Sequence, residues 1–193
     1  MKYALNLIIL LATAGLAYLL YYNIKEPIDF RTEKDLRLRA VGDKLGDIRT
    51  CQEIYRDITG KFAGSFDSLS YVLKNDSIPF EQVFEDPEFP GDESKFIYKM
   101  VYSSAKDSLT NMGIDLNTLA DVPYAEGSKF AIDADTMTYQ KTLVSVTEVS
   151  TRFKEFMGIY ASPRYAKFDN TYDPNKMVKF GDMGKPVLTG NWE

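Results

Sequence analysis

Apolar residues run almost unbroken at the start of the chain, then settle into a helical period, then alternate. Residues 3–22 carry no charge and are interrupted only by Asn6, Thr13 and Gly15. About 20 residues rising ~1.5 Å each cover the ~30 Å hydrocarbon core of a bilayer. A helix is the one single-segment structure that satisfies its own backbone polar groups there. A transmembrane anchor is therefore expected over 1–24, touching lipid through residues 3–22. Over 32–59 the pattern changes: Leu38, Val41, Leu45, Ile48, Gln52 and Tyr55 recur every three or four residues, flanked by Ala40, Cys51, Ile54 and Ile58. So broad a stripe belongs to a helix lying on its own domain, whereas a free coiled coil has a narrower seam. Leu38, Val41, Leu45, Ile48 and Tyr55 are predicted to hold that helix to a sheet.

Between the two patterns, 25–31 reads as a membrane-exit linker. Pro27 disfavours helix at Glu26 and marks a kink or break. Thr32 to Asp35 has the form of a capping box, and Glu33/Arg37 and Asp35/Arg39 are helix-supporting pairs. Gly42 and Gly46 suit either close packing of the helix backbone or a local bend. Gly60 is a natural end for the spine, and a short helix carrying Phe66, Leu69, Val72 and Leu73 follows, ending near 75–76.

Residues 79–94 are acidic and punctuated by proline, as in a loop or edge segment. A strand is expected over 95–102, an irregular stretch or short helix over 104–117, and further strands over 130–138 and 142–151, with 152–157 as a candidate extension. The tail from 158 reads as ordered loop with at most a short terminal strand. The sum is α+β: a transmembrane helix, then a long amphipathic helix packed on a mainly antiparallel sheet, with a single soluble domain over 32–193.

Charge and composition narrow the chemistry. A net charge of −5 and a pI near 4.9 argue against nucleic acid as a partner. Histidine is absent, which removes the commonest general base and metal ligand. The single cysteine, Cys51, permits neither an internal disulfide nor a zinc cluster and reads as a small apolar residue on a buried helix face. Asp133 and Asp135 share the strand face opposite Phe130 and Ile132, so they read as solvated surface. The acidic stretch Glu85, Asp86, Glu88, Asp92, Glu93 lacks EF-hand spacing. No catalytic, cofactor-binding or metal-binding residue is expected, and a non-enzymatic role follows. The alternative is a membrane-tethered ligand-binding or hydrolytic domain using carboxylates.

Thr13, Gly15 and Ala17 offer a small-residue contact for another transmembrane helix. The 13 tyrosines and 12 phenylalanines exceed the needs of one core, which points to a partner surface on the domain.

Tyr55 near the end of the spine, the Gly60-Lys61-Phe62 turn, and Leu69 and Leu73 in a small following helix stand in a familiar order. Over residues 1–75 the chain resembles type IV pilins and type II secretion pseudopilins. It departs from them in having no Gly or Ala followed by Phe-Thr-x-x-x-Glu, and so no prepilin-peptidase site. The resemblance implies a structural or interaction subunit of a secretion or surface-appendage assembly in the bacterial envelope, homo- or hetero-oligomeric, and anchored in the inner membrane. The Met-Lys start and the strand-like body rich in Tyr, Phe, Asn and Thr suit a periplasmic domain, which is the expected orientation. The cations Lys25, Arg31, Lys34, Arg37 and Arg39 favour a cytoplasmic one by the positive-inside rule. Ala12-Thr13-Ala14 has the form of a signal-peptide cleavage site, but the apolar run continues through Leu16, Leu19 and Leu20, so a retained anchor is expected.

Overall fold

The computed structural model describes residues 2–85 and 96–193. Its axis is one helix, α1 (Lys2–Thr59), whose 58 residues extend roughly 87 Å at ~1.5 Å per residue. Residues 3–24 are exposed throughout, and from Phe30 onward one face is buried in a head made by the rest of the chain.

The expected break at 25–31 is corrected: α1 continues through Pro27, and Thr32 lies inside the helix instead of capping it. A proline inside a helix costs about 3 kcal/mol. Packing supplies the offset. Phe30 is fully buried, worth ~1.5–3 kcal/mol, and the Glu26 carboxylate sits against Arg164 at 3.2 Å and Lys167 at 3.9 Å. The stretch read as a linker is thus part of the head. Of the two ion pairs expected there, Arg37 bonds Glu33 at 2.8 Å, whereas Asp35 lies 3.6 Å from Lys34.

Gly60, at φ 81°, ends the spine, with its N–H returning to the Arg56 carbonyl. Helix α2 (Phe66–Asn75) is capped by Ser65, whose side chain accepts from the Ser68 N–H, and buries Leu69 and Leu73. An antiparallel hairpin follows, β1 (Ser77–Phe84) with β2 (Ile97–Ser104), forming a two-stranded sheet. Pro79 is tolerated there because β1 is an edge strand. Helix α3 (Ala105–Asn111) stops before Gly113, at φ 79°.

The second sheet is β3 (Ala131–Tyr139), β4 (Thr142–Arg152) and β5 (Met177–Gly181), in the order β3-β4-β5 and antiparallel throughout. Tyr139 pairs with Thr142, so the β3–β4 turn is Gln140-Lys141 alone, both residues at positive φ. The candidate strand extension 152–157 is also corrected. Helix α4 (Phe153–Phe156) turns there, directing Phe153 and Phe156 into the core. Two 3-10 turns, Gly158–Tyr160 and Pro163–Lys167, follow. A Cβ on Gly181 would stand 2.0 Å from the Thr147 carbonyl oxygen, so only glycine lets β5 close on β4.

One core joins these parts. Val41, Leu45, Ile48 and Cys51 of α1 are fully buried in one cluster with Leu69, Leu73, Leu109, Val149, Val178 and Phe180. The fold is α+β, a long helix laid on small antiparallel sheets.

Candidate functional site

Within α1, an 18-residue window reaches a mean hydropathy of 2.0 with none of its residues buried. This makes α1 long and apolar enough to cross a membrane. The Thr13 hydroxyl donates to the Ile9 carbonyl at 2.8 Å, which satisfies it within the helix. Gly15 has open space around it and Ala17 is exposed. Thr13 and Ala17, four apart, share a face, while Gly15 turns to the other side. The three do not form one contact stripe.

Of the predicted packing residues, Val41, Leu45 and Ile48 are fully buried, Tyr55 is buried, and Leu38 is half-buried against the core. Gly42 is the close-approach position: a Cβ there would lie 2.7 Å from Trp192 Cδ1, whereas nothing stands within 4 Å of Gly46. Gln52, placed in the apolar row by its spacing, carries a role that the pattern did not disclose. Its amide Nε2 donates to the Ala63 carbonyl at 2.8 Å, and its Oε1 accepts from the Ala63 N–H at 2.8 Å, all fully buried. The side chain imitates a neighbouring strand and fixes the Gly60–Ser65 turn to the spine.

A row of cations grips the other side of the head. Arg31 donates to the Phe168 carbonyl at 2.9 Å, Lys34 pairs with Asp169, and Arg37 donates to the Phe156 carbonyl at 2.8 Å. The Lys34 ammonium, with Thr171, holds the Asp169 carboxyl down to about 2. Above this row, Phe30 stacks on Tyr165 at 5.2 Å and meets Tyr172 edge-on at 5.0 Å. Burial pushes the Tyr172 hydroxyl up to about 12, and it donates to the Tyr160 carbonyl at 2.7 Å. No sequence pattern announced this cluster, whose members come from α1 and from residues more than a hundred positions away.

Where the exposed apolar half of α1 meets the head, Tyr18, Tyr21, Tyr22, Lys25 and Asp29 face Ile159, Tyr160 and Arg164 across an open cleft of about 490 Å³. Elsewhere the β1–β2 hairpin presents apolar side chains on both faces. Phe80 and Phe84 point one way. Val83, Tyr98, Met100 and Tyr102 point the other, with Tyr98 60% and Tyr102 67% exposed. Among the described residues, β1 and β2 pair only with each other.

The carboxylates are dispersed. Asp133 and Asp135 are exposed on β3, and each accepts from the next residue's N–H. Burial raises Asp47 on α1, with Lys44 opposing. The Asn117 backbone N–H lowers Asp115, and Arg49 lowers Glu193. Among the described residues, no three Asp, Glu or Cys side chains converge to hold a metal. The acidic stretch from Asp86 to Glu93 lies outside the described residues. Cys51 is buried, and desolvation first, then Asp47, pushes its thiol up to about 12.

No protein-family model matches the chain. Comparison with curated proteins returns no match, and neither does comparison with solved structures. What the fold and these surfaces define is a class: an α+β head on a helix able to act as its membrane anchor.

Proposed function

We propose that the chain is a non-enzymatic, single-pass protein of a bacterial inner membrane, whose head docks on partner subunits of an envelope assembly of the secretion or surface-appendage type. The layout is pilin-like. The observation that carries this reading is the continuity of α1. Its exposed apolar half and its buried amphipathic half are one helix, so a force or contact on the head is transmitted to the span without an intervening flexible joint. The two-faced β1–β2 hairpin is the partner surface, because Phe80 and Phe84 on one face and Tyr98, Met100 and Tyr102 on the other stay exposed.

The head lies on the periplasmic side. The cations that favour the opposite orientation have a task in the fold: Arg31, Lys34 and Arg37 bind residues 156–169. Their number therefore reflects packing as well as topology. Photo-crosslinkers placed at Tyr98 and Tyr102 in native membranes, followed by mild-detergent extraction and sizing, test the reading. Discrete adducts and a complex larger than the chain are expected. A monodisperse monomer without adducts would overturn it. Protease access in spheroplasts settles the side of the membrane.

A further inference from the structure

We propose that the head has its own seat on the bilayer: Ile159 enters the interfacial layer, and Arg164, Lys167 and Lys25 engage phospholipid headgroup phosphates around it. This rests on the reading of residues 3–22 as a membrane span.

The geometry leads there directly. The turn from Gly158 to Tyr160 and the start of the next 3-10 turn reach back along α1 to the level of Tyr18, Tyr21 and Tyr22, with which they share the cleft. A span over residues 3–22 puts those tyrosines at its end, where aromatic side chains sit among headgroups. Whatever stands beside them stands at the same depth. Ile159 does, and it is 81% exposed, an uncovered aliphatic side chain on the edge of the head nearest the anchor.

The polar surroundings fit the same occupant. The Arg164 guanidinium lies 4.6 Å from the Tyr165 ring centroid, Lys167 4.5 Å from the Phe168 ring and Lys25 5.7 Å from the Tyr21 ring. Amphipathic cations laid along aromatic rings are suited to the membrane interface, with apolar stems inward and charged heads toward phosphate. Two acids face the group. Glu26 contacts both Arg164 and Lys167, and Asp29 lines the cleft. Glu26 is already shared between two cations, and both of those cations remain largely exposed. The seat would fix the rotation of the head about the anchor, so the β1–β2 hairpin would face a set direction in the membrane plane.

The test uses the full chain reconstituted in vesicles of phosphatidylcholine, with or without phosphatidylglycerol. Ile159→Cys provides a labelling position, because Cys51 is buried and its thiol is held protonated. An environment-sensitive fluorophore at position 159 should shift to the blue and be quenched by lipids carrying a shallow nitroxide. Quenching should be stronger with phosphatidylglycerol and largely lost with Arg164→Gln and Lys167→Gln together. Leu143→Cys, on the β3–β4 hairpin and 72% exposed, should report water. Leu11→Cys, in the span, should be quenched by deep nitroxides. A water-like signal at 159 alongside deep quenching at 11 would overturn the seat and leave the anchor standing. Water-like signals at both would overturn the anchor itself. Quenching at 159 unchanged by the double substitution would overturn the phosphate contact.

Discussion

Replacing Gln52 by leucine isolates the pair of bonds that ties the Gly60–Ser65 turn to the spine. The substitution nearly conserves volume, so packing changes little. It leaves the Ala63 N–H and C=O, both bonded at 2.8 Å, without a partner beside a residue 1% exposed. An orphaned buried polar group costs about 1–3 kcal/mol, so two cost ~2–6 kcal/mol, and the extra apolar burial returns ~1–2 kcal/mol. The central values leave a net loss of about 2.5 kcal/mol. Urea unfolding of the full chain in mild detergent, followed through Trp192 fluorescence, measures it. Gln52→Glu provides a signed control. The introduced carboxyl sits against the Ala63 carbonyl in a buried site, so its folded pKa lies above its unfolded value. Only its protonated form can donate to that carbonyl. Stability of this variant should therefore be greatest below the unfolded pKa of about 4.3 and fall as pH rises toward the folded one. A Gln52→Leu chain within about 0.5 kcal/mol of the parent would refute the reasoning, since that is the scatter of an uninvolved surface change.

Three further outcomes follow from the packing. Gly42→Ala, which drives a Cβ to 2.7 Å from Trp192, should cost about 1–3 kcal/mol and shift Trp192 emission, while Gly46→Ala, in open space, should gain ~0.5–1 kcal/mol. Equal urea midpoints for the two would contradict the contact. Lys141→Gly should stabilise the head by ~0.5–1 kcal/mol in thermal melts, because Lys141 holds φ 69° in a two-residue turn; a lower melting temperature would count against it. The Asp169 carboxyl, lowered from 3.8 to about 2 chiefly by Lys34, contributes stability that is complete above pH ~4 and lost as pH falls through 2. With solvent screening this is worth on the order of 1 kcal/mol. Lys34→Met should shrink that acid-side slope, leaving the part owed to Thr171, and an unchanged slope in pH titrations of unfolding would disprove the assignment.

Local patterns carried much of the architecture. The three-and-four spacing of Val41, Leu45 and Ile48 marked the buried face of α1, and alternation at Phe130, Ile132 and Ala134 marked β3. Gly60 marked the end of the spine because its positive φ is a local requirement. What the patterns hid was decided by distant groups. Pro27 argued for a break, and Phe30, Glu26 and the aromatic residues after 158 overrode it. Pro79 and the acids around it masked β1, whose partner strand lies on the far side of an acidic stretch. Arg152 to Met157 has strand-like composition, yet burying both Phe153 and Phe156 on one side requires a helical turn. At the candidate surfaces, the apolar span was plain from composition. The cleft beside Ile159 was not, since it forms only when residues 158–165 fold back on the helix. The one core polar position in the stripe, Gln52, was visible as an exception, and its partner was not.

The cation row along α1 has a consequence for biogenesis. Arg37 finds its carbonyl 119 residues further on and Arg49 its carboxylate 144 residues further on, so the spine emerges from the ribosome long before the groups that clasp it. Until then Val41, Leu45 and Ile48 form a naked greasy flank on the nascent chain. Contacts so remote in sequence close slowly and leave such flanks open to misassociation. The flank of α1 is therefore covered only after residues more than a hundred positions downstream have been made, and it stays exposed for that whole interval.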